Sequence, residues 1–300
     1  MSFKKFWLKA IDSKKYQILK NSKKIKQDLE NFRKNYEPYL EEVFEKISSK
    51  KELSFLHSGH SGDIINTLPV IKQLSETHKC NLYIQVNKNL NSNYLNHPAE
   101  NVFINEKIYN MLMPLLRNQP YLNNVEKYSN QEIDINFDIF RELPINISFD
   151  NLRYSFLITG IQPDTENEYI KASPHDEISK QIVIQRTFRY RNHFIDYNFL
   201  SKYNDLLFLG TKEEFNDLKS SINNLKFHDC KDFLEMAMII KSSKFFIGNS
   251  SIGFPIAEGL KVPRLLEACP YFPAAQPHGK NAYDFYFQRH FKKYFNLLNK

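Results

Sequence analysis

The chain has 300 residues, 42% of them hydrophobic, with 25 Phe, 17 Tyr and a net charge of +7; this length fits two soluble domains of ordinary size. Three cysteines without C-x-x-C spacing support neither a disulfide framework nor a zinc motif, and no run reaches the roughly 18 apolar residues of a membrane span. No apolar stretch follows Lys4, Lys5 and Lys9 as it would in a signal peptide, so a cytoplasmic location is expected.

Residues 1–50 hold 13 Lys or Arg against 7 Asp or Glu, which is +6 of the total charge. The remaining body lacks the cationic track that nucleic acid needs, and no nucleic-acid partner is expected. This first stretch lacks Gly and predicts a basic helical extension over 1–50. Phe3, Phe6, Trp7 and Ala10 share one face among lysines. Such a helix can pack on a partner, stay solvated, or lie on an anionic membrane; residues 1–26 are the candidate for peripheral contact at the cytoplasmic face.

From residue 52, strand-like runs alternate with helical patterns. "ELSFLH" (52–57), "NLYIQV" (81–86), "NVEKYS" (124–129) and "INFDIF" (135–140) read as strands, and 63–77 and 105–117 as helices. This predicts a Rossmann-like, mainly parallel domain over 51–160. The polar, proline-containing stretch 161–180 reads as a linker. The alternation restarts over 181–280 with strands at 181–186, 205–210, 225–228, 244–248 and 262–269, helices between them, and a final helix over 281–300. The expected class is therefore α/β, with two Rossmann-like parallel-sheet domains facing a cleft; ligands would lie at the loops after the strands.

Three such loops carry candidate chemistry. In "HSGHSGDIINTLP", Gly59 and Gly62 permit a tight turn beside His60, and Asp63 stands near a helix amino end, where a carboxylate caps free N–H groups whether or not it does chemistry. In "KFFIGNSSIGFPIAEGLKVP", Gly248, Asn249, Ser250 and Ser251 form a neutral anion seat before a helix. Glu258 lies near that helix's carboxyl end, where the dipole disfavours it unless something else holds it. In "QRTFRYR", Arg186, Thr187, Arg189 and Arg191 follow a strand; arginine forks match phosphate oxygens, although a solvated basic loop has the same composition. Gly210 and Thr211 end a further strand at the same sheet edge. Phe188, Tyr190 and Phe254 could stack on a base. Asp138, Arg141 and Glu142 read as a salt-bridged cluster at a strand end. The nine histidines are scattered in sequence, and no protein metal site is expected.

"SGHSGDIINTLPVIKQL" and "DFLEMAMIIKSSKFFIGNSSIGFPIAEGLKVP", about 185 residues apart, together resemble the heptosyltransferase-like glycosyltransferases (ADP-heptose:lipopolysaccharide family, GT-B fold) over residues 52–280. Ser250 and Pro255 stand where that family commonly has Asp and His. The resemblance implies a GT-B fold and Asp63 as catalytic base; from their place in the same turn, Gly59, His60 and Gly62 are expected on the acceptor side. The late block implies donor contacts from Gly248, Asn249 and Ser251, with Ser250 expected beside them from its place in the polar turn; Glu258 in "AEGLKVP" resembles the Glu of other GT-B enzymes that binds the nucleotide ribose. The activity implied is inverting, metal-independent transfer from a nucleotide-diphosphate sugar to a glycan or glycolipid hydroxyl, as in polysaccharide or lipopolysaccharide synthesis. A nucleotide-sugar epimerase shares the architecture, and a non-catalytic sugar-nucleotide or glycan-binding module is the reading outside enzymes.

Overall fold

The computed structural model describes residues 9–90, 98–143 and 150–300. The face carried by Phe3, Phe6 and Trp7 lies outside them. Helix α1 (Ser13–Asn35) buries none of its side chains, whereas α2 (Glu37–Ser49) docks on the domain that follows. Val43 of α2 is fully buried, and the Tyr39 hydroxyl accepts the Asn136 N–H at 2.7 Å. The helical extension thus divides into a free arm and a packed layer.

Strands β1 (Glu52–His57), β2 (Lys79–Ile84), β3 (Asn124–Lys127) and β4 (Ile135–Asn136) form a parallel sheet in the order β3-β2-β1-β4. The helix expected over 63–77 is two helices, α3 (Ser61–Ile65) and α4 (Leu68–Leu74). The Thr67 hydroxyl turns back to donate to the Ile64 carbonyl at 2.7 Å, and Pro69, which has no N–H to offer, restarts the helix in its first turn. Helix α5 (Glu106–Arg117) covers the sheet between β2 and β3. The strand expected over 135–140 stops at Asn136, whose side chain accepts the Asp138 N–H at 3.0 Å and starts a 3-10 turn, Phe137–Arg141. Helix α6 (Tyr154–Thr159) closes this domain at Gly160.

The second sheet holds β5 (Ile182–Gln185), β6 (Leu206–Leu209), β7 (Lys226–His228), β8 (Phe245–Gly248), β9 (Arg264–Glu267) and β10 (Ala282–Phe285). Its order is β10-β9-β8-β5-β6-β7, with every pairing parallel. β5, β6, β8 and β9 are buried along their whole length, as continuous apolar runs covered on both faces should be. The expected helix over 281–300 begins only at Gln288 (α10, Gln288–Leu298); β10 precedes it. This half-covered edge strand, with Asp284 exposed, lacks the apolar run that marks its neighbours. Helices α7 (Lys212–Lys219), α8 (Phe233–Lys241) and α9 (Gly253–Leu260) cross between strands.

The core is arranged across the sheet rather than domain by domain. Ile182, Ile184, Phe245 and Ile247 point to an outer cluster closed by Phe291 and Phe295 of α10. Val183, Phe246, Ile256 and Ala257 belong to a second cluster that continues into Ile64, Leu68 and Leu112 of the first domain. α8 and α9 are therefore shared between the lobes, and apolar burial fixes how the lobes face one another.

Candidate active site

Each sheet reverses its strand order at one point, between β1 and β4 in the first and between β5 and β8 in the second. The loops leaving β1, β5 and β8 emerge there, the place where open α/β sheets bind ligands. A cleft of about 1240 Å³ lies between them, lined from one side by His60, Gly62 and Asp63 and from the other by Thr187, Arg189, Ser250 and Ser251.

Asp63 is the third residue of α3, and its Oδ2 accepts the His60 backbone N–H at 3.0 Å, so the capping role foreseen for it is real. Oδ2 is also 3.4 Å from an Arg141 nitrogen, whereas Oδ1 takes no hydrogen bond from the described residues. The side chain is 26% exposed at the cleft wall. Capping thus occupies one oxygen and leaves the other available.

Arg141, expected only in a salt-bridged cluster, also reaches the Asp63 carboxylate. Its guanidinium lies over the Phe103 ring at 4.2 Å and the Phe140 ring at 4.4 Å, and donates to Asp138 Oδ1 at 2.7 Å. Asp138 also accepts from the Ser58 N–H at 3.0 Å and from Lys88 at 2.8 Å, tying the glycine turn to the same carboxylate. Burial works against ionisation there, but His57, Arg141 and Lys88 outweigh it and hold Asp138 well below the usual carboxylate range. The spacing Asp138-x-x-Arg141 was the available signal; its reach to Asp63, 78 residues away, was not.

His60 lines the cleft with its ring against Phe103, and its Nδ1 donates to the Phe103 carbonyl at 3.1 Å. Burial lowers its pKa, Asp63 opposes this, and Arg189 and Arg141 add to the lowering. His60 and Arg189 line the same cleft, so the basic loop of the second domain faces His60 across it. Gly59 is not at the cleft: its φ is +101°, and a Cβ there would meet Ile104 at 2.6 Å, so packing and backbone conformation require glycine. Gly62 faces Pro255 of α9, whose ring would lie 3.4 Å from an added Cβ. The two small-residue turns meet at this point.

The arginines separate. Arg186 does not reach the cleft; it is buried with Nε 2.7 Å from Glu267 Oε2 and its guanidinium over the Tyr197 ring at 4.5 Å. Glu267 itself is fully buried, so the pair neutralises a charge that could not stand alone. Arg191 is also turned away, paired with Asp217 at 2.6 Å. Arg189 lines the cleft beside Tyr190 and Phe188. Asn249 is fully buried and clamps the loop: its Oδ1 accepts the Thr187 N–H at 3.1 Å while its Nδ2 donates to the Thr187 carbonyl at 2.9 Å. Gly248 packs on the Phe246 ring and is likewise behind the surface. Gly210 lines the cleft, and Thr211, also at the wall, caps α7 by accepting the Glu214 N–H at 3.3 Å.

Glu258 borders the cleft but is 3% exposed. Its Oε2 accepts from Arg264 Nε at 2.6 Å and its Oε1 from Lys261. These cations explain how a carboxylate survives at the unfavourable end of α9 without any ligand hydroxyl.

No protein-family model and no curated protein matches the sequence. Solved structures do match the fold. A glycosyl transferase family 9 structure from Veillonella parvula aligns at a TM-score of 0.53 with 12% identity, covering 83% of this chain and 89% of that one. The E. coli heptosyltransferase WaaC with ADP-2-deoxy-2-fluoro heptose aligns at 0.53 with 10% identity, covering 83% and 100%. E. coli ADP-heptose LPS heptosyltransferase II aligns at 0.53 with 13% identity, covering 83% and 98%. The fold is GT-B. It agrees with the family that the two sequence motifs resemble. Among the described residues, no helix is long and apolar enough to cross a membrane.

Proposed function

We propose that this chain is an inverting glycosyltransferase that moves a sugar from a nucleoside diphosphate donor to a hydroxyl of a glycan or glycolipid. The observation that carries the proposal is that one cleft is lined by a carboxylate from the first domain's turn and by Arg189, Ser250 and Ser251 from the second. Heptosyltransferase structures of the same fold, with an adenine nucleotide sugar in one of them, support the donor class.

In this reading Asp63 Oδ1 accepts the acceptor's proton as the acceptor oxygen bonds to the anomeric carbon. The bond from that carbon to the phosphate oxygen breaks with its electron pair, and the nucleoside diphosphate leaves. Arg141 holds the Asp63 carboxylate in place through Oδ2. Arg189 and the amino end of α9 meet the charge that develops on the leaving diphosphate, so that preorganised dipoles serve in place of a metal on the phosphates. The buried clamp of Asn249 on Thr187 keeps that loop in register. Gln185, which accepts the Gly253 N–H at 2.6 Å, fixes the start of α9.

The test is a panel of nucleoside diphosphates and their sugars. A donor at 100 times its Kd should add about 2.7 kcal/mol to stability, and a suitable acceptor should then release nucleoside diphosphate. Stabilisation with no acceptor-dependent release would favour a binding module, and interconversion of the sugar without acceptor would favour an epimerase.

The arm supports a second part of the reading, contact with an anionic membrane from the cytoplasmic side. Ile18, Ile25 and Leu29 of α1, and Ile11 just before it, are all exposed, and lysines surround them. Flotation of the full chain with phosphatidylserine vesicles, against neutral vesicles and a chain lacking residues 1–35, checks it: only the full chain should float, and only with anionic lipid.

A further inference from the structure

The turn from β7 into α8 gathers side chains that the transfer reaction leaves unused. His228 ends β7, Cys230 lies two residues on, and Glu235 stands in the first turn of α8 after its Asp232 cap. An imidazole nitrogen, a thiol sulfur and a carboxylate oxygen from these three all fall within 4.8 Å of one another. His228 Nε2 is 3.1 Å from Glu235 Oε1, while Glu235 Oε2 accepts the Lys231 backbone N–H at 2.6 Å. The backbone thus fixes one carboxylate oxygen and leaves the other aimed at the cluster.

A fourth group comes from the segment that connects the two sheets. His175 Nε2 is 3.8 Å from Glu235 Oε1. Its Nδ1 accepts the N–H groups of Glu177 and Ile178 at 3.2 and 3.1 Å, so the ring's proton sits on Nε2 and faces the carboxylate. That tautomer suits a partner of Glu235 rather than a ligand. None of the four is fully exposed: the side chains of His175, His228 and Glu235 retain 15%, 29% and 16% of their surface.

We propose that His228, Cys230 and Glu235 bind a divalent transition-metal ion of the zinc class, with an open fourth position for water or a ligand oxygen, and that His175 orients Glu235 from outside. Nitrogen, sulfur and one carboxylate oxygen suit Zn²⁺ or Co²⁺ and not the all-oxygen shells of Mg²⁺ or Ca²⁺. Ligands held about 2.0–2.3 Å from a tetrahedral ion stand roughly 3.3–3.8 Å apart. The cluster therefore needs only a small contraction. Cys230 also lines the cleft, so the ion would sit in the cleft wall and brace the β7–α8 turn, while the His175–Glu235 contact ties that turn to the connecting segment. The proposal does not rest on the transferase reading.

The test is titration of the chelator-treated full chain with Co²⁺ and then Zn²⁺. One ion per chain should bind, with a thiolate-to-cobalt charge-transfer band that Zn²⁺ abolishes and Mg²⁺ does not. Cys80 and Cys269 are buried, which leaves Cys230 to supply that band. Cys230→Ser should remove it, His228→Gln should weaken binding at least about tenfold, and His175→Ala should weaken it about 10- to 100-fold with the band retained. Thermal melts should rise with Zn²⁺ in the parent chain and not in Cys230→Ser. Absence of saturable binding, absence of the thiolate band in the parent, or binding that ignores both ligand substitutions would leave a hydrogen-bonded His228–Glu235 pair and overturn the site.

Discussion

The turn after β1 and the turn after β8 have the same ingredients, glycine, serine and a following helix, yet they use charge in opposite ways. The first keeps one carboxylate oxygen at the cleft and spends the buried Asp138 on holding its surroundings. Around the second, Arg186 and Glu258 are consumed inside the domain by Glu267, Arg264 and Lys261, and the wall is left with Arg189, two serines and a helix amino end. A charged residue beside a binding loop is thus as often part of the frame as of the site, because an isolated charge cannot be buried.

The sharpest break of this comparison is Asp63→Asn. It retains the cap's shape and should keep donor binding while transfer falls by about 10² to 10⁴-fold; normal turnover would reduce Asp63 to a cap. Next in size, Arg186→Leu should cost about 3–5 kcal/mol in denaturant unfolding by stranding Glu267. The double replacement Arg186→Met with Glu267→Leu should recover much of it. A donor-binding arginine would instead lose affinity with little change in stability. Arg189→Ala should then cost about 1.5–3 kcal/mol of nucleoside diphosphate binding, read by calorimetry, with the bare nucleoside hardly affected. Arg191→Ala should cost less, because Asp217 already neutralises that side chain.

The smallest effect concerns acid. Asp138 has a depressed pKa in the folded state, so its contribution is complete above the ordinary carboxylate pKa and is lost as pH falls toward the folded-state value. Unfolding free energy measured between neutral pH and about pH 3 should decline less steeply for Asp138→Asn than for the parent. An identical slope would mean that His57, Arg141 and Lys88 do not hold Asp138 ionised.

Legibility followed physical range. Continuous apolar strands such as 182–185, and the helix Gly253–Leu260, were readable because burial on both faces and helical periodicity leave a local pattern. The edge strand Ala282–Phe285 was not, since it is half-solvated and reads like its helical neighbour. The two turns were readable, being built from residues adjacent in sequence. The direction of Arg186 was not, because its partner lies 81 residues away. His228, Cys230 and Glu235 are near neighbours in sequence but their spacing matches no metal motif; the fold of one strand, turn and helix turns their side chains toward one another.

The amino-acid sequence determined the α/β alternation, the two glycine–serine turns and the helical character of the basic extension, since each depends on neighbours within a few residues. The tertiary structure decided which charges face the cleft and which are neutralised behind it. Electrostatic partnership in a low-dielectric interior is a contact between distant segments, and its geometry exists only once both sheets and the shared helices α8 and α9 have packed.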